Sequence, residues 1–175
     1  IYDEQDQIIN YIGILADNTY QRRSEERAYY FAHYDGLTGL PNRVLFRDRL
    51  EQVIKRAARE QHWIALLTID LDGFKDINEA FGHELGDELL KIIAQRLVSF
   101  LAGDDDLIAR LGSDEFILIF DDLPPGERAL QIAVDNTLQV LAHIQRPLEL
   151  GNQELSISAC GGITLYPQDS DQLEE

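Results

Sequence analysis

WIALLTIDLD, residues 63–72, is the stretch of sequence that decides the fold. Trp63 to Ile69 is a continuous apolar run, and its length fits a buried strand in the centre of a sheet. The run ends abruptly at Asp70, and Asp72 to Gly82 is predicted to be a loop. We therefore expect a core strand that delivers acidic side chains to one end of the sheet.

Two further apolar runs predict a β-hairpin later in the chain. Leu107–Leu111 and Phe116–Phe120 have the composition of short strands. Four residues separate them, GSDE at 112–115, and these are typical of a turn. The tip of this hairpin is therefore acidic.

The two acidic segments predict a metal site if the sheet brings them together. Asp70 and Asp72 follow the first strand, whereas Asp114 and Glu115 occupy the hairpin tip. Converging carboxylates are hard oxygen ligands for Mg²⁺, which takes substrate phosphates as further ligands and assists phosphoryl or nucleotidyl transfer. The alternative is that Asp70 and Asp72 only begin a turn with Gly73, because Asp bonds its own backbone there.

The segment after the first strand offers groups for a nucleotide. Backbone N–H groups near Gly73 can hold phosphate oxygens, and Lys75 can add a positive charge. Phe74 as a core anchor and Lys75 as a solvated surface charge are the simpler alternatives. Asn78 and Asp87 can pair with a purine edge that presents donors, although as isolated residues they are more often helix caps.

Helical periodicity surrounds the predicted strands. The helical segments are Val44–Ala57, Leu85–Leu97 and Arg128–Ile144, and Asn42 is available to cap the first of them. Pro147–Leu150 and Leu155–Leu165 predict a second hairpin. Strands interleaved with helices favour an α+β fold, an α/β sandwich with a central mixed sheet flanked by helices.

Composition excludes some partners. The chain of 175 residues carries 15 Lys and Arg against 32 Asp and Glu, a formal charge of −17. That charge argues against nucleic acid and against contact with an anionic membrane, and it favours divalent cations. The sequence has no apolar run long enough to span a bilayer. Its single cysteine, Cys160, suits the cytoplasm and is expected to be a small buried residue beside Gly161.

The first 34 residues have a different character. Ile8–Leu15 predicts a strand and the polar stretch after it a helix, and DGLTGLPNR at 35–43 marks a new unit. We expect residues 1–34 to be the end of an upstream sensory domain with a linker helix, and residues 35–175 to be the main domain. An ordinary N-terminal arm is the alternative. A chain that begins at Ile1 and has no Met is expected to be part of a longer protein.

Taken together, the motifs from Asp35 onward resemble the GGDEF family of diguanylate cyclases. They are DGLTGLPNR (35–43), DLDGFKDIN (70–78), GH (82–83), GD (86–87) and RLGSDEF (110–116). Several ordered motifs are far more specific than any one of them. Residues 1–34 more weakly resemble the end of a PAS-type sensory domain and its linker.

The resemblance implies a palm-like fold, similar to nucleotidyl cyclases and polymerases, that joins two GTP molecules into cyclic di-GMP and releases two pyrophosphates. Each domain would hold one GTP, so the active form would be a homodimer. The implied roles are Mg²⁺ (or Mn²⁺) binding by Asp70, the carbonyl of Leu71 and Asp114; metal binding or proton removal by Glu115; guanine recognition by Asn78 and Asp87; and phosphate contact by Phe74, Lys75, Gly112 and Ser113.

Three departures from the family pattern limit what the resemblance implies, and the first of them predicts reduced activity. Ser113 replaces a glycine of the signature, where a Cβ would crowd the nucleotide phosphate and where the turn is expected to need a positive φ. Gly103 stands where the family's product-inhibition motif has an arginine. The chain ends at Glu175, before a C-terminal helix that supplies basic groups to the phosphates.

Three functions therefore remain open. The first is a weakened GTP- and Mg²⁺-dependent cyclase. The second is a non-catalytic GTP-binding domain that regulates an attached phosphodiesterase of the EAL family. The third is an interaction module whose acidic hairpin tip binds nothing.

Overall fold

The computed structural model describes residues 19–101, 107–150 and 153–169. The chain divides into two compact units, Ile1–Phe31 and Ala32–Glu175. In the first unit the described residues belong to helix α1, which extends over Thr19–His33. The strand predicted at Ile8–Leu15 lies outside the described residues, as does Gly103.

The second unit alternates helices and strands. Its elements are α2 (Arg43–Glu60), β1 (Trp63–Leu71), α3 (Phe74–Phe81), α4 (His83–Phe100), β2 (Leu107–Arg110), β3 (Glu115–Leu123), α5 (Glu127–Ile144), β4 (Leu148–Leu150), β5 (Gln153–Leu155) and β6 (Ala159–Tyr166). Helices α2, α4 and α5, the central strand and the acidic hairpin were predicted from the sequence, whereas α3 was not.

The main sheet has the strand order β2-β3-β1-β6, and β4 pairs with β5 in a separate two-stranded sheet. The α+β class with helices packed on a central sheet is confirmed. In place of the mixed pairing expected, each described pairing of the main sheet is antiparallel. The two segments predicted as a second hairpin do not form one hairpin. Instead β4 pairs with β5, and β6 joins the main sheet beside β1.

Strand β1 is apolar from Trp63 to Leu67 because helices cover both faces of the sheet there. Ala65, Leu67 and Ile69 pack into the core on the side of α4 and α5. Ile64 packs on the opposite side against α2. Further along β1 the side chains on that second face are exposed, and Asp70 is one of them. The sheet therefore has an open end beyond the cover of α2.

Local sequence signals explain the ends of two helices. The Asn42 side chain accepts hydrogen bonds from the backbone N–H of Val44 and Leu45, at 3.0 and 3.1 Å, which confirms it as the N-cap of α2. The loop expected over Asp72–Gly82 is wrong, because residues 74–81 form α3. Gly82, at φ 88°, separates α3 from α4, and this break hides the helix in the sequence pattern.

In the part of the chain that the structure describes, no helix combines the length and the apolar character needed to cross a membrane.

Candidate functional site

The open end of the sheet brings two of the predicted carboxylates together. Asp70 on β1 lies directly opposite Glu115 on β3 in the antiparallel register. On its other side Asp70 lies opposite Cys160 on β6. All three line a cavity of about 300 Å³, whose other lining residues are Thr68, Ile69, Gly161 and Gly162. On the β6 side, Gly161 and Gly162 add no side chains to this cavity, so Cys160 provides the side chain there.

The hairpin tip is bonded to the end of β1. The backbone N–H of Leu71 donates to the carbonyl of Asp114 at 3.3 Å. The turn itself is closed by the N–H of Leu111, which donates to the carbonyl of Glu115 at 2.9 Å. Asp70, Leu71, Asp114 and Glu115 are thus neighbours along two paired strands, as the sequence predicted.

The donor set at this end suits a hard cation. Among the described residues, no three His, Cys, Asp or Glu side chains form a ready cluster for a metal ion. Asp70 and Glu115 nevertheless supply carboxylate oxygens from paired positions, with Asp114 beside them. Mg²⁺ characteristically takes one or two carboxylates and completes its shell with water and phosphate oxygens. The residues present therefore fit Mg²⁺ in an open site.

Asp72 does not belong to this set. Its carboxylate accepts hydrogen bonds from the Ser158 hydroxyl at 2.7 Å and from the Cys160 thiol at 3.2 Å. Its backbone N–H donates to the carbonyl of Ser158 at 2.9 Å. These bonds, that of Ser158 first, lower the pKa of Asp72. The sequence grouped Asp72 with Asp70 as a candidate ligand, whereas the structure uses it to fasten the end of β1 to the start of β6.

Cys160 is exposed, which corrects the expectation that it is buried. It lies opposite Asp70, where no helix covers the sheet. The hydrogen bond to Asp72 and the negative charge of that carboxylate raise the pKa of the thiol. The sequence analysis did not identify Cys160 and Ser158 as neighbours of the site. The one signal in the sequence was Gly161 nearby, which is an unusual residue inside a strand.

Ser113 is held in the turn without backbone strain. The non-glycine residues with positive φ in the described part of the chain are Gln61 and Asp122, so the positive φ expected at Ser113 is absent. The Ser113 hydroxyl donates to the carboxylate of Asp114. A Cβ on Gly112 would lie 3.4 Å from the Glu115 carboxylate, a tight contact.

Arg110 connects the hairpin tip to the beginning of the domain. Its guanidinium donates to Asp35 at 2.9 Å and to the carbonyl of Ser113 at 2.6 Å. Asp35 also accepts from the Thr38 N–H at 2.9 Å and the Thr38 hydroxyl at 2.6 Å. Partial burial of Asp35 opposes ionisation, but the bonds from Thr38 and Arg110 outweigh it and lower the pKa of this carboxyl. The sequence analysis noted both motifs without pairing them.

Phe74 and Lys75 begin helix α3 after the turn at Gly73, whose φ is 71°. Phe74 is buried in the main core. Lys75 is exposed, and its ammonium lies 3.7 Å from Glu79 one helical turn along. No side chain caps the start of α3. Its first N–H groups and Lys75 are therefore available to an anion.

Asn78 lies against the start of α4, at the residue just before Asp87 in the chain. The carbonyl of Asn78 accepts from the N–H of Gly82 at 2.9 Å, which fixes the turn between the helices. The Asn78 side chain then lies against the backbone of Gly86, because a Cβ built on Gly86 would be 2.0 Å from its Oδ1. The amide of Asn78 is thus placed next to the residue that precedes Asp87.

A larger cavity lies elsewhere in the domain. Its volume is about 740 Å³, and basic residues of α2 contribute much of its lining, namely Arg49, Lys55, Arg56 and Arg59. The described residues around it include none of the predicted site residues. Two concave surfaces of different charge therefore exist in this unit, and the acidic one contains two of the predicted site residues, Asp70 and Glu115.

A family model described as "Diguanylate cyclase, GGDEF domain" matches residues 32–175. The bifunctional diguanylate cyclase/cyclic di-GMP phosphodiesterase MucR of Pseudomonas aeruginosa is 40% identical over 153 residues, which is 87% of this chain and 22% of MucR. The diguanylate cyclase TpbB of the same species is 43% identical over 141 residues, 80% of this chain and 31% of TpbB. The cyclic di-GMP phosphodiesterase NbdA, also from that species, is 35% identical over 144 residues, 82% of this chain and 18% of NbdA.

Solved structures agree with this. A sensory box/GGDEF family protein from Caulobacter crescentus superposes with a TM-score of 0.73 at 35% identity, covering 79% of this chain and 86% of that one. The GGDEF domain of TpbB from Pseudomonas aeruginosa superposes with a TM-score of 0.69 at 42% identity, covering 79% and 80%. The chain spans between about a fifth and a third of the length of these three curated relatives.

Proposed function

Because the chain belongs to the family of diguanylate cyclase GGDEF domains, which occur in cyclic di-GMP signalling proteins, we propose that it binds GTP with a divalent cation and condenses two GTP molecules into cyclic di-GMP. Two pyrophosphates leave in this reaction. The observation that carries the proposal is the pairing of Asp70 with Glu115 at the open end of the sheet, with Asp114 bonded to Leu71 beside them.

Asp70, the carbonyl of Leu71 and Asp114 are the proposed ligands of Mg²⁺ or Mn²⁺. When bound, the cation neutralises charge on the reacting phosphate and activates the attacking 3′-hydroxyl. Glu115 then assists by holding the cation or by accepting the proton of that hydroxyl. The pairing of β1 with β3 supports this division of roles, since it sets the two carboxylates of Asp70 and Glu115 on adjacent strands.

The nucleotide itself is proposed to extend from the hairpin tip to the two helices. Gly112, Ser113, Phe74 and Lys75 contact the triphosphate through backbone N–H groups and the Lys75 ammonium. Asn78 and Asp87 bind the guanine edge. Guanine offers N–H donors that suit the Asp87 carboxylate and a carbonyl that suits the Asn78 amide. The corresponding edge of adenine has an amino donor where guanine has its carbonyl, so the pair selects guanine.

Two copies of the domain have to face each other, because each holds one GTP and the product contains two guanylate units. A homodimer is therefore the proposed active form. Residues 1–34, as the end of a sensory domain and its linker, set how the two domains approach each other. Residues 35–175 form the proposed catalytic domain. We place the protein in the cytoplasm, where GTP is supplied, with an EAL domain as its proposed neighbour in the full-length protein.

Ser113 weakens the proposed reaction through its hydroxyl. The hydroxyl donates to the carboxylate of Asp114, and a carboxylate engaged in this way is a poorer cation ligand. The backbone contributes no strain, since φ at Ser113 is not positive. A second function has a specific observation in its favour: MucR and NbdA, which this chain resembles, are described as phosphodiesterases. In that role the domain binds GTP without turnover and regulates an attached EAL phosphodiesterase.

Two variants of the full-length protein separate these functions. Ser113→Ala keeps the Cβ and removes the hydroxyl, whereas Ser113→Gly removes both. If the hydroxyl is the obstacle, both variants raise cyclic di-GMP formation from GTP and Mg²⁺ by a similar factor. If the Cβ obstructs the phosphate, only Ser113→Gly does. Asp70→Asn is the matched control and abolishes formation in every background.

The outcomes without product are equally informative. GTP binding that accelerates cyclic di-GMP hydrolysis, with no cyclase activity in either Ser113 variant, favours the regulatory function. If millimolar GTP and Mg²⁺ leave the melting temperature unchanged, the nucleotide-binding proposal is wrong and an interaction module is what remains.

A further inference from the structure

Gly86 is packed so tightly against Asn78 that no larger residue fits while Asn78 keeps its place. A Cβ on Gly86 would lie 2.0 Å from Oδ1 of Asn78, 3.0 Å from Cγ and 3.4 Å from Nδ2. Real carbon contacts do not come closer than about 3 Å, since the packing of protein interiors leaves no such overlap. The amide group therefore occupies the space that a side chain at residue 86 would need.

The backbone gives no reason for a glycine at this position. Gly86 is buried in α4 and is absent from the glycines with positive φ, which are Gly39, Gly73, Gly82 and Gly126. An alanine would be the better helix former here, because glycine loses more conformational freedom on folding. The absence of a Cβ at Gly86 therefore has a steric effect, because it leaves room for the Asn78 amide.

The turn between the helices leaves Asn78 little freedom to move away. The N–H of Gly82 donates to the Asn78 carbonyl at 2.9 Å, and the N–H of Gly86 donates to the Gly82 carbonyl at 3.3 Å. Both bonds involve Gly82, so this one residue connects the last turn of α3 to the first turn of α4. With the backbone held in this way, a Cβ at residue 86 would displace the Asn78 amide by rotation of its own side chain.

We propose that Gly86 is a specificity-determining positioning residue, which leaves the space in which the Asn78 amide lies beside Asp87 so that both read one purine edge. The inference rests on the proposed function, in which Asn78 and Asp87 contact guanine. Gly86 itself acts through Asn78. Its role is therefore visible in the choice of base, and the affinity for the phosphates stays unaffected.

The test measures binding of two nucleotide analogues to the full chain by calorimetry with Mg²⁺. The analogues are GTP and ATP with a methylene group between the α and β phosphorus atoms, which prevents turnover. Gly86→Ala is expected to weaken the GTP analogue about 10-fold, the loss of roughly one buried hydrogen bond, and to leave the ATP analogue unchanged. In an Asn78→Ala background the same substitution is expected to change neither affinity.

A merely structural role predicts a different result. Alanine then lowers the melting temperature through the steric overlap and leaves the preference for the GTP analogue at the wild-type value, which overturns the inference while the proposed function stands. If the wild-type chain binds neither analogue, or both equally, the proposed function fails and the inference fails with it.

One complication is a Gly86→Ala variant that does not fold. Asn78→Ala/Gly86→Ala removes the group that the new Cβ meets. Recovery of a cooperative melting transition in this double variant supports the steric pairing of the two residues. A double variant that also fails to fold refutes that pairing.

Discussion

Replacement of Asp35 by alanine is expected to cost about 3 kcal/mol of stability at pH 7. The carboxylate of Asp35 accepts from Arg110 at 2.9 Å, and the two side chains are 24% and 10% exposed. Removing one partner of a buried pair typically costs about 3–5 kcal/mol, and the partial exposure of Asp35 places this pair at the lower end. The two hydrogen bonds from Thr38 are lost as well.

A double-mutant cycle in urea measures the interaction itself. Asp35→Ala, Arg110→Ala and the double variant are expected to give a coupling energy of about 2 kcal/mol. Asp35→Asn is the matched control, since it keeps an acceptor for Thr38 and removes only the charge. The pair Glu51 and Lys55 on α2 is a second control, because its side chains are 44% and 77% exposed and Glu51→Ala should cost less than about 0.5 kcal/mol.

The pH dependence has a definite sign. The folded state lowers the pKa of Asp35 below its ordinary value of 3.8, so the stabilisation is complete above that value and is lost as the pH falls through the lower, folded pKa. The difference in unfolding free energy between the wild type and Asp35→Asn should be constant from pH 8 to about pH 5 and narrow under more acidic conditions. Single-variant costs that simply add, or a difference that grows on acidification, would refute the reasoning.

Three further predictions concern other parts of the domain. Asn42→Ala removes the cap of α2 and should lower the unfolding free energy by about 1 kcal/mol in urea, whereas an unchanged midpoint would contradict the capping role. Asp72→Asn lowers the pKa of the Cys160 thiol, so iodoacetamide should label Cys160 faster at pH 7.5; an equal rate would show that the hydrogen bond is not what raises that pKa. Leu67→Ala, at a fully buried position of β1, should cost about 2–5 kcal/mol, and a smaller loss would mean that the core refills the cavity.

The sequence predicted the elements whose pattern is local. The apolar run of β1 and the acidic turn at 112–115 could be placed because strands and turns differ in composition over a few residues. The grouping of Asp70 with Asp114 came from the acidic ends of two predicted strands, and the family motifs added their implied role as metal ligands. The path of β6 beside β1 was not predicted, because pairing between strands 90 residues apart in the chain leaves no local signal.

Side-chain partners were the least predictable part. Asp70 and Asp72 are two residues apart and chemically identical, yet Asp70 lines the cavity whereas Asp72 accepts a hydrogen bond from Ser158. Helix α3 was missed because the glycines at both of its ends are typical of loops. The hydrogen bonds of Arg110 depend on a neighbour from another part of the chain, and no spacing in the sequence encodes that distance.

The position of β1 between β3 and β6 has a dynamic consequence. A strand that is hydrogen-bonded along both edges is expected to exchange its amides slowly, so Asp70 is carried by one of the more stable elements of the described domain. Helix α3 buries only Phe74 and can open locally at far lower free energy. Asp70 therefore keeps a fixed position, while Lys75 belongs to a segment that can yield as a nucleotide enters and leaves.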